Sequence, residues 1–570
     1  MRLLTPHHLE GTRPAAFGIM ATVVSSSLRE ILTGSRFAYG AEIVTTRGYS
    51  TPGAATQLVE MGSALLQDPR IGWVSITDNP GGAPMLPPDW LARQIGADPK
   101  RIVIHLTCKD RNRNGIEAAA WGYAAEGFEN ILAVTGDYPT TGFGGVADPV
   151  FDLDSVGLIS LLKSMNEGLR VPGRKGAIET LPKTHFYIGC AVSPFKQHER
   201  ELVPQYFKLL RKIRVGAEWV IPQLGYDMRK FHEIKLFLAA RGYEHVPVIG
   251  NVYMLNRAVA ELFHSGKLAG CVVSDGLLEQ CNRYAKGPDK GKTFFRELAA
   301  KQLAVFKGLG FAAGYLGGIN KAETFFEVID LAEKYAPDDW RQFIKEIQYS
   351  NPGEFFFFEH DPETGLSAPD RINPEYLRSL KSPPKSKHVT LGYRISRRVH
   401  DLAFHRGKGM YNLLTKIFAR WDKKPGWMSR FSYWLEREAK HLGYGCQDCG
   451  DCSLPDCAYL CPMASCSKHS RNGPCGGSAG GLCELLDKDC FWARVYERLK
   501  YYRESEQMFD GPVVIYDAKL KHTSAWANTY LDRDHFGREH QKQQAAAATA
   551  DKPNAATATA DPPPEPKPDR

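Results

Sequence analysis

The sequence predicts an α/β protein: a (β/α)8 TIM-type barrel, then a small Cys-rich metal-binding α+loop domain, then a disordered tail. Three observations predict it. Eight short apolar runs, each closing on polar or small residues, recur between Phe37 and Gly318. Helix-like segments separate them, several ended by glycine as a helix C-terminus should be. Nine of the 13 cysteines crowd between Cys446 and Cys490. Strand alternating with helix over about 300 residues points to a parallel barrel, with an open doubly wound sheet as the alternative.

The strand candidates are 37–45, 72–78, 102–108, 130–137, 186–193, 219–223, 248–254 and 311–318, and 270–275 is a further short strand that fits neither scheme cleanly. Helices are expected over 115–127, 155–168, 227–242, 257–266 and 491–502. The boundaries read as an N-terminal extension 1–35, the barrel 36–350, a linker 351–391, a basic helical and Cys-rich module 392–510, and a C-terminal extension 511–570 that is Ala-, Thr- and Pro-rich and disordered from about residue 539. The stretch 392–442 is basic and carries Trp421, Trp427, Tyr433 and Trp434. Amphipathic helices docking the next module onto the barrel account for it, and contact with a membrane or RNA is the alternative.

A hydrophobic content of 43% and a charged content of 24% are ordinary globular values. The net charge of +8 over 570 residues is a solvated surface rather than a nucleic-acid footprint. No apolar stretch reaches the roughly 18–20 residues of a membrane span, and residues 1–35 lack a signal pattern, so the expectation is a cytoplasmic protein. In that compartment clustered cysteines mean metal binding more than disulfides.

The barrel's polar strand ends are where chemistry is expected, because ligands of parallel α/β folds sit outside the carboxyl ends of the strands. The run 131–139 ends abruptly in Gly136, Asp137, Tyr138 and Pro139, which places Asp137 at the pocket and lets a flat ligand approach the backbone at Gly136. Glu42 lies in the first strand, Thr77, Asp78 and Asn79 follow the second, His105 and Thr107 lie in the third, and Gln223 follows the sixth. A carboxyl enclosed by apolar strand neighbours has its charged form disfavoured, so Glu42 is a candidate general acid.

Ala41-Glu42, His105 through Cys108, Thr135-Gly-Asp-Tyr-Pro139, Arg211-Lys212, Gly216-Ala217 and Pro222-Gln223, in that order, resemble the 5,10-methylenetetrahydrofolate reductase family over roughly 36–335. The resemblance implies FAD in the barrel, NAD(P)H as its reductant, and hydride transfer from the flavin to the one-carbon unit of methylenetetrahydrofolate. It assigns Glu42 to protonation of N10, Asp137 to the flavin and pterin, and Gln223 to folate. Thr77, His105, Gly136, Arg211 and Lys212 match flavin contacts, the last two facing the diphosphate, where positive charge is physically reasonable. Two positions depart: Thr135 stands where the family commonly has Arg, and Asn256-Arg257 follows the seventh strand where an aromatic would stack a nicotinamide.

The second feature is Cys446, Cys449, Cys452, Cys457 and Cys461-Pro462, followed by Cys466, Cys475, Cys483 and Cys490. These spacings suit an iron-sulfur cluster or tetrahedral zinc, and do not decide between them. The region resembles the C-terminal module found with some bacterial members of the same family, which implies electron transfer or partner docking and favours iron-sulfur. The expected reaction is reduction of methylenetetrahydrofolate to methyltetrahydrofolate, with a homo-oligomer and a protein electron donor as the macromolecular partners. The alternatives are a pterin or one-carbon methyltransferase barrel, and an electron-transfer or assembly subunit.

Overall fold

The computed structural model describes residues 26–48, 52–485 and 488–550. Eight parallel strands form the core: β1 (Ala38–Ile43), β2 (Ile71–Ile76), β3 (Ile102–Thr107), β4 (Asn130–Val134), β5 (Tyr187–Val192), β6 (Trp219–Pro222), β7 (Ile249–Tyr253) and β8 (Ala313–Gly317). They pair in the order β6-β5-β4-β3-β2-β1-β8-β7. A parallel bridge between Val220 and Val248 brings β7 back to β6, so the sheet is a nearly closed barrel rather than an open one.

Side chains alternate across each strand, so one residue in two points into the lumen. The lumen is filled by pairing large residues with glycine. A Cβ on Gly40 would stand 2.2 Å from the Trp73 ring, and one on Gly189 would stand 2.2 Å from Trp219. Trp73, Tyr187, Trp219, Ile249 and Tyr315 form a buried interior cluster, onto which Leu28 and Leu32 of the short helix Leu28–Thr33 also pack. That helix starts on a capping box in which Ser27 and Glu30 bond each other's backbone N–H. The lumen is therefore a packed core below and open only toward the carboxyl ends of the strands.

The expected helices form with small shifts, as Arg113–Ala125, Ser155–Glu167, Met228–Ala239, Arg257–His264 and Phe491–Tyr501. Residues 270–274 are not a strand; they form the loop leading to the helix Asp275–Ala285. The segment read as a linker carries an antiparallel hairpin (Phe358–Asp361 with Leu366–Ile372) and the helix Pro374–Lys381. Buried Glu233 holds it on the barrel, accepting from Phe357 N at 2.7 Å, Phe358 N at 3.1 Å and Tyr206 Oη at 2.8 Å. Its aromatic run is thus barrel shell, where the sequence pattern suggested a boundary.

Three helices follow, Leu391–Ala403, Gly409–Lys423 and Trp427–Tyr444. The Cys-rich stretch is mostly turns around the short helix Pro462–Ser465. Helix Phe491–Tyr501 packs along the barrel helix Glu199–Val215, with Tyr496 Oη donating to Glu199 at 2.6 Å and Arg200 paired to Glu497 at 3.0 Å. Residues past 510 belong to this module rather than to an extension. Asn472 bonds Val514 in both directions, and Asp451 accepts from His535 Nδ1 at 2.6 Å and Arg538 at 2.8 Å. The helix His535–Ala550 runs through the point at which the sequence suggested disorder, because its first turn is tied down by these buried partners; residues 551–570 lie outside the described ones.

Candidate active site at the barrel mouth

Four luminal side chains from four strands make two hydrogen-bonded pairs. Tyr315 Oη on β8 donates to Glu42 Oε2 on β1 at 2.8 Å. Ser75 on β2 stands next in the lumen, its Oγ 2.7 Å from His105 Nε2 on β3. Burial raises the Glu42 carboxyl above its ordinary range, against the lowering by Tyr315. Burial also pushes His105 down to about 4, so the imidazole is neutral near pH 7. Glu42 keeps partial access to the mouth, and Gly317 opposite leaves it room: a Cβ there would sit 2.9 Å from Glu42 Oε1.

One layer higher, Thr77 Oγ1 is buried without a hydrogen-bond partner. Asp78 accepts from Thr107 N at 3.1 Å and from Thr107 Oγ1 at 2.8 Å, and burial raises its carboxyl. Gly136 follows β4 with φ of +92°, and a Cβ there would come within 3.1 Å of Thr107 and 3.2 Å of Lys109. This is a position that requires glycine. Asp137 Oδ2 accepts from Gly81 N at 2.7 Å and lines a cavity of about 370 Å3 with Tyr138, Phe195, Lys196, Cys271 and Glu484. Gln223 stands at the same mouth beside Gly270, its Oε1 accepting from Leu224 N at 3.0 Å.

The cavity is roofed by the Cys-rich module. Lys196 Nζ donates to Gly476 O and Ser478 O, both at 2.5 Å, and Lys208 Nζ to Gly473 O at 3.2 Å and Pro474 O at 3.0 Å. Asp154, the N-cap of Ser155–Glu167, accepts from Arg471 N at 3.2 Å and Asn472 N at 2.8 Å. Residues 471–478 thus form a strap across the carboxyl ends of β4 and β5. Lys468 Nζ donates to Gly136 O at 3.0 Å and pairs with Glu484, and Cys475 Sγ lies 3.8 Å from Glu484 Oε1.

The sequence-derived site divides here. Glu42, Thr77, Gly136, Asp137 and Gln223 gather at the mouth. His105 sits one layer below with its Nε2 engaged by Ser75. Arg211 and Lys212 face inward contacts of this chain: Arg211 Nη2 donates to Asn472 Oδ1 at 3.1 Å and Pro512 O at 2.5 Å, and Lys212 Nζ to Ala191 O at 2.6 Å. Burial lowers Lys212 to about 8. The orphaned Thr77 hydroxyl suits the edge of a flat ring, while the space beside Gly136 is filled by Thr107 and Lys109 of this chain. The two cations leave no open cradle for a diphosphate, so the FAD assignment fits at its ring end and not at its diphosphate end. Tyr315 and Ser75 escaped sequence reasoning; counting by two along β8 and β2 from the glycine and tryptophan positions would have placed both in the lumen.

The nine clustered cysteines form no disulfide, and no group of three His, Cys, Asp or Glu among the described residues is placed to hold a single metal ion. By mutual electrostatic influence the thiols fall into two neighbourhoods. Cys446, Cys449, Cys452 and Cys461 form one, and Cys466, Cys475, Cys483 and Cys490 the other. Buried Cys457 stands between them, influenced by both Cys461 and Cys466. A larger cavity of about 830 Å3 lies away from the mouth, between Tyr393, Tyr444 and Trp526.

Among solved structures, the chain is similar to an uncharacterized protein from Clostridium thermocellum that binds two copies of 5-methyl-5,6,7,8-tetrahydrofolic acid, at 13% identity, covering 53% of this chain and 96% of that one, with a TM-score of 0.38. It is also similar to a putative deoxyribose-phosphate aldolase from Toxoplasma gondii ME49, at 12% identity, covering 54% and 94%, with a TM-score of 0.27. At those scores neither likeness carries weight. Two family models match the chain: residues 39–331 match methylenetetrahydrofolate reductase, and residues 428–518 match the methylene-tetrahydrofolate reductase C terminal region. A nearly closed eight-stranded barrel with an enclosed carboxyl at its mouth, matched over these two spans, makes the chain a member of the methylenetetrahydrofolate reductase family.

Proposed function

We propose that the protein reduces 5,10-methylenetetrahydrofolate to 5-methyltetrahydrofolate at the barrel mouth, with Glu42 as the acid. The observation that carries this reading is the raised Glu42 carboxyl held by Tyr315 at the open end of the lumen. Proton transfer from Glu42 to N10 breaks the bond between N10 and the methylene carbon and leaves an iminium at N5. A two-electron donor then delivers hydride to that carbon, giving the methyl group. Glu42 is left as a carboxylate, and the Tyr315 hydroxyl stabilises that charge as it forms. Asp137 and Gln223 orient the pterin, and the roof of residues 476–480 excludes water.

The family resemblance makes the hydride donor a reduced flavin, with NAD(P)H behind it. Arg211 and Lys212 do not offer a diphosphate cradle, so no step is assigned to FAD. A second reading, electron entry through the Cys-rich module, is favoured by the contact line from Cys475 through Glu484 and Lys468 to Gly136. Iron and acid-labile sulfide in anaerobically purified protein would support it, and their absence would end it.

The test of the reaction is chromatographic detection of 5-methyltetrahydrofolate formed anaerobically from the methylene substrate and a chemical reductant. Wild type should form it and Glu42→Gln should lose at least about 100-fold, the scale of a general acid. Full turnover by Glu42→Gln removes the acid assignment.

A further inference from the structure

The helix Trp427–Tyr444 is mounted with its polar side inward. Its only buried side chains are Glu436 and Lys440, paired at 2.6 Å, and Glu436 also accepts from Ser524 Oγ at 2.6 Å and Trp526 N at 3.1 Å. Its large apolar residues face out: Trp427 is 75% exposed, Phe431 53%, Trp434 54% and Leu442 85%. At 3.6 residues per turn these fall within a sector of about 80°. The helix Leu391–Ala403 buries Tyr393 and exposes Leu391 and Leu402, while Ile395 and Val399 on the same side also line the cavity beside Tyr393 and Tyr444.

Charge is concentrated on the same helices. Residues 391–444 hold 12 Lys or Arg against 4 Asp or Glu, a net +8, which equals the net +8 of the entire chain. Several of these cations, including Arg398, Lys416, Arg420 and Arg430, are exposed and have no carboxylate partner among the described residues. Arg394 and Arg398 border the apolar row of the first helix, and Arg430 and Arg437 border that of the last. Arg398 and Arg430 have no carboxylate partner among the described residues, whereas Arg437 pairs with Glu438; an exposed apolar row edged by arginines positions bulky side chains at the acyl boundary and guanidinium groups at headgroup level. Two such surfaces from two copies would repel each other. Among the described residues no helix is long and apolar enough to cross a membrane, and the contact proposed here is with a surface.

We propose that the helices Leu391–Ala403 and Trp427–Tyr444 dock the protein on an anionic phospholipid surface. The reaction proposed for the barrel plays no part in this inference.

The test is flotation of the full-length protein with phosphatidylglycerol–phosphatidylcholine vesicles and with pure phosphatidylcholine vesicles, at low and high salt. Binding to the anionic vesicles should exceed binding to the neutral ones at least tenfold, fall with salt, and drop at least tenfold in Trp427→Glu/Trp434→Glu. Brominated acyl chains should quench tryptophan fluorescence in wild type and much less in Trp427→Phe/Trp434→Phe, a readout that needs only conservative variants. No flotation with anionic vesicles overturns the proposal. So does a stable homo-oligomer that shields Trp427 and Trp434, or binding confined to an acidic protein.

Discussion

Replacing Tyr315 with Phe removes the hydroxyl from its pair with Glu42, and its consequence can be worked out. Tyr315 Oη donates to Glu42 Oε2 at 2.8 Å. A hydrogen bond to an ionised acceptor contributes roughly 1.5–3 kcal/mol, and one pKa unit corresponds to about 1.4 kcal/mol. Without that donor, the Glu42 titration should move up, because burial already raises it and Tyr315 is what opposes the rise. The stability effect has a definite sign. Folded Glu42 holds its proton to higher pH than the unfolded chain does, so its contribution is full below about 4.3. That contribution is lost as pH rises through the folded value, and in Tyr315→Phe the loss comes later. Difference infrared spectroscopy of the carboxyl stretch across pH, assigned with Glu42→Gln, measures the shift directly. The alkaline limb of the pH-rate profile should move up by the same amount. A titration in Tyr315→Phe that stays at the wild-type position, or falls, refutes the role given to Tyr315.

Gly317→Ala places a methyl 2.9 Å from Glu42 Oε1, so turnover should fall by more than stability does, read as kcat against the urea midpoint. Gly189→Ala drives a Cβ to 2.2 Å from Trp219 in the closed lumen; the expected loss is about 1–3 kcal/mol or more, measured by chemical unfolding. Asp154→Ala removes the N-cap bonds to Val156 N and Gly157 N together with the two strap bonds to Arg471 and Asn472. A cost of about 2 kcal/mol or more is expected, with faster amide exchange at residues 471–474 than elsewhere in the module. In Arg211→Met the loss should likewise appear as strap opening, since its donors serve Asn472 and Pro512; weakened flavin binding with an unchanged strap would instead restore the diphosphate role.

Much of the barrel was legible because its signals are local. Apolar runs ending in polar residues and glycine stops are set within a few positions of each other. Glu42, Gly136 and Asp137 could be picked out for the same reason, each being anomalous within its own strand or strand end. The aromatic run 355–358 misled because a buried carboxylate 124 residues away, Glu233, supplies its backbone partners. The C-terminal helix misled in the same way, through Asp451.

By itself the sequence determined the alternation that closes eight strands, the carboxyl that belongs in an apolar lumen, and the nine cysteines that must share one module. These follow from period, volume and spacing, which are properties of neighbours along the chain. Only the tertiary structure decided that Tyr315 pairs with Glu42 and Ser75 with His105, and that the strap 471–478 lies across the mouth. It alone turned Arg211 and Lys212 to this chain's own carbonyls, and the helix Trp427–Tyr444 polar side inward. The reason is physical: a hydrogen-bond donor takes the acceptor nearest in space, and in a closed barrel with a docked module that acceptor can lie as far away in sequence as Glu42 from Tyr315 or Asn472 from Arg211.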